Sequence, residues 1–242
     1  MHGPIFGEFF GTLILVLMGD GVCANLSLTG SKGAGGGWIV VSAGWGLAVL
    51  IGVSASVGVG GVAHLNPAVT IAAAVTSGDY SIVVPYIVAQ MIGAFLGAIL
   101  VYVAYLPLWA GTEDHGAKLG VFCTAPAVRN LPSNCITEFL GTVVLVVVGF
   151  AFASKGFAGT GLPNGFNPYL WAMLIWGIGM SLGGPTGYAI NPARDLGPRI
   201  AHAVLPIPGK GDSDWGYSWV PVVAPAIGGV VGALICKATG IA

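Results

Sequence analysis

The sequence predicts an all-α membrane protein of six transmembrane helices plus two re-entrant half-helices, arranged as an inverted internal repeat. Three observations predict it. The 242 residues are 55% hydrophobic and 7% charged, with a mean hydropathy of +0.89, whereas a soluble domain carries about 25% charged residues. The tripeptide Asn-Pro-Ala occurs twice in apolar surroundings, at Asn66-Pro67-Ala68 and Asn191-Pro192-Ala193. The two halves also echo each other around those motifs. Gly7-Glu8-Phe9-Phe10-Gly11-Thr12 matches Thr137-Glu138-Phe139-Leu140-Gly141-Thr142, and VAQMIGAFLGAIL from Val88 matches VAPAIGGVVGALI from Val223. Three landmarks in the same order make two related halves. Each half holds an odd number of full spans, so the second must sit upside down relative to the first, an arrangement that places the functional site at the midplane.

The first span, 5–25, has no Lys or Arg ahead of it and carries Glu8. It does not resemble a cleaved signal peptide and is expected to be a permanent span. A Gly-rich connection, 26–37, leads to the second span, 38–58. Asn66 is then a favoured helix cap and Pro67 a favoured first helical residue, but apolar sequence continues only to about Val75. A helix of some 9–12 residues rises roughly 15 Å, half of a hydrocarbon core about 30 Å thick, and must be covered by protein or bathed in water. The third span is 82–106. The connection 107–133 is the longest and most charged. Spans at 134–154 and 168–184 follow, then a second half-helix from Pro192 to about Ala203, then the last span, 217–238. Two half-helices meeting end to end at the midplane make a pore design. The whole chain, 1–242, reads as one domain, with repeats at 1–106 and 134–242 joined by 107–133. Gly7/Gly11, Gly93/Gly97 and Gly228/Gly232 have the spacing that lets helices in lipid approach closely.

A net charge of −1 gives no sign of a nucleic-acid partner. Cys23, Cys123, Cys135 and Cys236 have neither metal-ligand spacing nor a disulfide framework. Cys123 and Cys135 flank a polar loop, which leaves a loop disulfide between them open. No nucleophile–base pair or metal cluster is in view, so neither an enzyme nor a cofactor is expected. Glu8 and Glu138 are carboxylates at equivalent places in the repeat. They are expected to accept hydrogen bonds from the loops leading into the half-helices, with direct solute contact as the alternative. For His64 a loop-stabilising role is favoured over a pH gate. Asp20 has no counterpart in the second half and reads as a solvated vestibule residue. Arg194, three residues into the second half-helix, is expensive in an apolar setting unless paired or solvated. It reads either as an interhelical or snorkelling charge or as a cationic donor lining the pore.

The segments His64-Leu65-Asn66-Pro67-Ala68-Val69-Thr70 and Gly187-Tyr188-Ala189-Ile190-Asn191-Pro192-Ala193-Arg194-Asp195, with the paired Glu8 and Glu138, resemble the major intrinsic protein family, the aquaporins and glycerol facilitators, over essentially the whole chain. The resemblance implies a right-handed bundle of tilted helices, a pore in each protomer of a homotetramer, and both termini cytoplasmic in the plasma membrane. The charges alone would not choose that orientation, since Lys32, Lys118, Arg129 and Lys210 would lie outside. It also implies a selectivity filter of Trp45, Gly179, Tyr188 and Arg194, with Asp195 as a mark of glycerol facilitators. Water-selective relatives typically have His at the Gly179 position and Phe at the Trp45 position. Tyr188 stands where Phe is usual, and Leu182-Gly183-Gly184-Pro185 has its Pro one place late.

That filter has two aromatic faces for C–H groups and a guanidinium for hydroxyls, which suits a polyol. The expectation is a passive channel for glycerol, with water also passing. Neutral lactic acid, dihydroxyacetone or urea in the same architecture is the alternative, and Tyr188 is the argument for lactic acid because it adds a hydroxyl opposite Arg194. A proton- or ion-coupled carrier would also use inverted repeats and broken helices, with Glu8 and Glu138 as its coupling acids. A junctional or purely structural membrane protein is disfavoured by the intact Arg194 and Asn-Pro-Ala motifs.

Overall fold

The computed structural model describes residues 1–159, 161–163 and 165–242. Among these there are helices and no strands. Helix α1 runs Pro4–Ser27, α2 Trp38–Gly58, α3 Pro67–Ser77, α4 Val83–Ala104, α5 His115–Phe122, α6 Leu131–Ala151, α7 Lys155–Ala158, α8 Phe166–Leu182, α9 Pro192–Val204 and α10 Val220–Thr239. Helices α1, α2, α4, α6 and α10 are long and apolar enough to cross a membrane. Helix α8, with 17 residues, rises about 25 Å and is the sixth span. Helices α3 and α9 have 11 and 13 residues and are the two half-helices.

Three boundaries differ from the sequence expectation, each for a local reason. The connection 107–133 contains α5, capped by Asp114, whose Oδ1 accepts from the amides of Gly116 (2.7 Å) and Ala117 (3.1 Å). Gly116 and Gly120 hide this helix from a propensity reading. Helix α6 starts at Leu131, because Asn130 caps it through Ser133 N (3.2 Å) and Pro132 sits in its first turn. Helix α10 starts at Val220 because the preceding residues form turns, with Tyr217 N bonded to Asp214 O (3.1 Å) and Ser218 N to Trp215 O (3.2 Å). All four cysteines are free, so the Cys123–Cys135 bridge is not formed.

Helix α1 packs on α4 and α2, and α6 on α10, while α2 packs on α8. Small residues permit these approaches. A Cβ on Gly93 of α4 would lie 2.3 Å from Phe9 O of α1, and one on the matching Gly228 of α10 would lie 2.8 Å from Phe139 O of α6. Each half-helix packs mainly on the last span of the other half, α3 on α10 and α9 on α4. The outer faces carry exposed apolar residues such as Val84, Val88, Ile92 and Leu100, as lipid-facing helices require. Polar side chains are buried instead: Glu8, Asp20, Gln90, Glu138, Asp195, Arg199 and His202 are all fully enclosed.

Candidate pore

Each half-helix begins with an Asn that serves both its own helix and the opposite half. Asn66 Oδ1 accepts from Ala68 N (2.8 Å), and Asn191 Oδ1 accepts from Ala193 N (3.0 Å) and Arg194 N (3.2 Å). These are N-cap bonds, and they fix the side-chain amides at the helix ends. The amide nitrogens then cross between the halves. Asn66 Nδ2 donates to Ile190 O and Asn191 Nδ2 to Leu65 O, both at 2.8 Å. An amide NH₂ has two donors, so each Asn keeps one N–H for another acceptor.

The loops entering the half-helices are irregular, and the structure accounts for their polar groups. Ala63 and Leu65 before α3, and Tyr188 and Ile190 before α9, have positive φ, a conformation that costs non-glycine residues about 1–2 kcal/mol each. Glu8 holds the first loop: Oε1 accepts from His64 N (2.7 Å), and Oε2 from Leu65 N (2.7 Å) and Gln90 Nε2 (2.7 Å). Glu138 holds the second, accepting from Ala189 N (2.9 Å) and Ile190 N (2.7 Å). In a trans peptide the N–H and the preceding C=O point in opposite directions. Amides turned to a buried carboxylate therefore aim the carbonyls of Ala63, His64, Tyr188 and Ala189 the other way.

Those loops line a narrow cavity of about 60 Å³ bounded also by Trp45, Asn66, Asn191 and Arg194, with Leu15, Val49, Leu145 and Ile175 as its apolar wall. A wider cavity of about 420 Å³ shares Val53, Ala63, His64 and Trp171 with it, so His64 stands where the two meet. The imidazole also contacts Thr70 Oγ1 through Nδ1 (3.2 Å) and the edge of Tyr86 (5.5 Å). At the other end the Arg194 guanidinium lies over the Trp45 ring at 4.1 Å. Its Nη1 reaches Phe122 O at 3.4 Å, and Trp45 Nε1 points to Cys23 Sγ at 3.4 Å. Asp195 points away, accepting from Thr124 N (2.8 Å) and Thr124 Oγ1 (2.6 Å) through Oδ2.

Two positions differ from expectation. Trp45, Tyr188 and Arg194 of the implied filter line the narrow cavity, and Gly179 brings no side chain. The room its missing side chain leaves is filled by Tyr188: a Cβ there would lie 2.6 Å from Tyr188 Cζ and 2.8 Å from its hydroxyl. The Tyr188 hydroxyl is consequently buried against α8 without a partner among the described residues, and Trp38 closes the packet, donating Nε1 to Gly179 O at 2.9 Å. The ring of Tyr188 faces the cavity, but the hydroxyl offers no second polar contact opposite Arg194. Asp20 is buried, not solvated, with neither oxygen bonded within the described residues.

Sequence reasoning missed Gln90, Thr70, Trp38, Thr124 and Arg199. Gln90 is the one with a legible signal, a lone amide in the middle of an apolar span that needs a partner once buried.

A family model described as "Major intrinsic protein" matches residues 2–236. The chain is 56% identical over 227 residues to a probable glycerol uptake facilitator protein of Thermotoga maritima, covering 93% of this chain and 94% of that protein. It is 52% identical over 235 residues to a glycerol uptake facilitator protein of Bacillus subtilis, covering 96% and 83%. Among solved structures it is similar to the aquaglyceroporin from Plasmodium falciparum, with a TM-score of 0.84 and 31% identity over 98% of each chain.

Proposed function

This chain belongs to the major intrinsic protein family, and from that premise we propose that it is a passive membrane channel for glycerol, through which water also passes. The observation that carries the reading is the narrow cavity bounded by both Asn-Pro-Ala loops and by Trp45, Tyr188 and Arg194. A polyol has a carbon face and a hydroxyl face. In this reading its carbons slide along the Trp45 and Tyr188 rings while its hydroxyls exchange water for the Arg194 N–H groups and the carbonyls of 63–64 and 188–189. At the centre, the free N–H groups of Asn66 and Asn191 donate to its oxygens. Both half-helix N-termini converge there, each worth roughly +0.5 charge, and with Arg194 they oppose cations and orient water so that a proton wire is broken. Glu8, Glu138 and Asp195 support the loops and do not touch the solute, while His64 supports its loop and borders the passage. We assign the chain to the plasma membrane as a homotetramer with both termini cytoplasmic. The repeats are 1–106 and 134–242.

The carrier reading is separated from this one by transport mode. In proteoliposomes monitored by stopped-flow light scattering, glycerol flux is expected to follow its gradient, to remain unsaturated at low millimolar concentration and to ignore proton and sodium gradients. Water, urea and lactic acid tested alongside rank the permeants. Uphill glycerol accumulation driven by either ion would overturn the channel.

Gly179 has its own expected effect, although it acts through Tyr188. Gly179→Ala places a methyl 2.6 Å from Tyr188 Cζ, which forces the ring toward the cavity. The displaced ring narrows the passage, and a barrier raised by ~1.4 kcal/mol lowers glycerol flux about tenfold, while water, being smaller, loses less. Gly179→His should exaggerate the difference. Equal losses of both permeants in folded protein would detach Gly179 from selection.

A further inference from the structure

The guanidinium that bounds the narrow cavity is itself lightly held. Arg194 touches the Trp45 face and one carbonyl, Phe122 O, at 3.4 Å. Phe122 is the last residue of α5, so the position of Arg194 depends on where that short helix ends. The Phe122 ring is stacked between Trp109 and His202, each at 5.5 Å, and the backbone just beyond the end of α5 is held by a different cation. Arg199, five residues further along α9 and fully buried, donates Nη2 to Thr124 O (2.9 Å) and Nε to Asp195 Oδ1 (2.9 Å). It also donates Nη1 to Ser213 O (2.8 Å) and Asp214 O (3.1 Å). Asp195 completes the clasp by accepting both the amide and the hydroxyl of Thr124.

We propose that Arg199 is a positioning residue for solute selection, acting on Arg194 through the 122–124 segment. The inference rests on the reading of Arg194 as the charged wall of the filter. The physical case is the donor geometry. One side chain holds two outer segments, 122–124 and 213–214, against the same helix that carries Arg194, and it needs a planar fork of donors to do so. With Asp195 its Nη2 also makes a 2.8 Å ion pair in which neither side chain is exposed. A pair buried in this way is a poor source of net stability compared with apolar packing, but the fixed donors of the guanidinium make it a good ruler. Lysine keeps the charge beside Asp195 yet has one nitrogen on a flexible stem, and cannot reach all of these acceptors together.

Arg199→Lys is therefore expected to leave a folded channel that discriminates poorly. The test measures erythritol, glycerol and water fluxes through the full chain in proteoliposomes, normalised to folded protein. The erythritol-to-glycerol ratio should rise on the order of fivefold, the scale of coupling within one hydrogen-bond network. Thr124→Val removes only the hydroxyl contact to Asp195 and should move the ratio the same way by less. It carries the test if Arg199→Lys fails to fold. Arg194→Val serves as the reference in the same assay. If Arg194→Val alters the ratio but folded Arg199→Lys and Thr124→Val leave it unchanged, the positioning role is overturned and the filter reading stands. If Arg194→Val itself leaves the ratio unchanged, the filter reading falls with it.

Discussion

Glu138→Ala is expected to abolish transport by collapsing the approach to α9. In the folded protein the carboxylate is fully buried and accepts the amides of Ala189 and Ile190 at 2.9 and 2.7 Å. The backbone there is already under strain, with φ of 40° at Tyr188 and 41° at Ile190. Alanine removes the acceptor and leaves two buried N–H groups unpaired, at about 1–3 kcal/mol each. Part of that loss is offset because a buried charge is no longer desolvated, so a net destabilisation of ~2–4 kcal/mol is reasonable. Glu8→Ala should cost about as much, because Glu8 accepts from the amides of His64 and Leu65 and from Gln90 Nε2, each at 2.7 Å. Glu138→Gln keeps one acceptor oxygen but turns an NH₂ toward a backbone N–H, and should fall between wild type and alanine. Melting of the detergent-solubilised protein, with glycerol flux per folded channel, checks the order. If Glu138→Ala melts like wild type and conducts glycerol, the carboxylate does not hold the loop.

The spans and half-helices were legible because lipid imposes a simple rule: an apolar segment must be long enough to cross, and a short one must be sheltered. Asn66-Pro67 and Asn191-Pro192 mark helix starts by cap chemistry that works locally, and both helices begin at those residues. Helix α5 was not legible because Gly116 and Gly120 lower its propensity, and tertiary bonds add to the local Asp114 cap in holding it. Lys118 is buried, with Nζ donating to Pro208 O and Gly209 O. Gly179 shows a second limit. A glycine predicts vacant space, but only the structure says which neighbour uses it, and here the occupant is Tyr188. That substitution of side chain for solute also removes the Tyr188 hydroxyl as a reason to favour lactic acid. The clasp of Asp195, Arg199 and Thr124 joins residues far apart in sequence, and apart from the four-residue spacing of Asp195 and Arg199 nothing in the chain announces it.

Arg194→Val is expected to cost the channel its exclusion of cations while sparing glycerol. Arg194 is 7% exposed, and its guanidinium has no carboxylate bonded to it among the described residues, since Asp195 is taken by Arg199 and Thr124. Its charge faces the narrow cavity it lines, with the buried Asp20 close enough to interact with it as well. For two unit charges 4 Å apart the interaction is ~4 kcal/mol at an effective dielectric of about 20, so removing it should raise proton or sodium flux by about a hundredfold or more. Glycerol loses hydrogen-bond donors worth about 1 kcal/mol each but gains width beside Trp45, and its flux should stay within several-fold of wild type. The half-helix N-termini remain and keep part of the barrier, so the leak is expected to be partial. The measurement is proton flux into proteoliposomes with an internal pH dye, set against glycerol flux in the same preparation. An Arg194→Val channel that is still proton-tight would place the whole barrier at Asn66 and Asn191 and leave Arg194 as a hydrogen-bond donor alone.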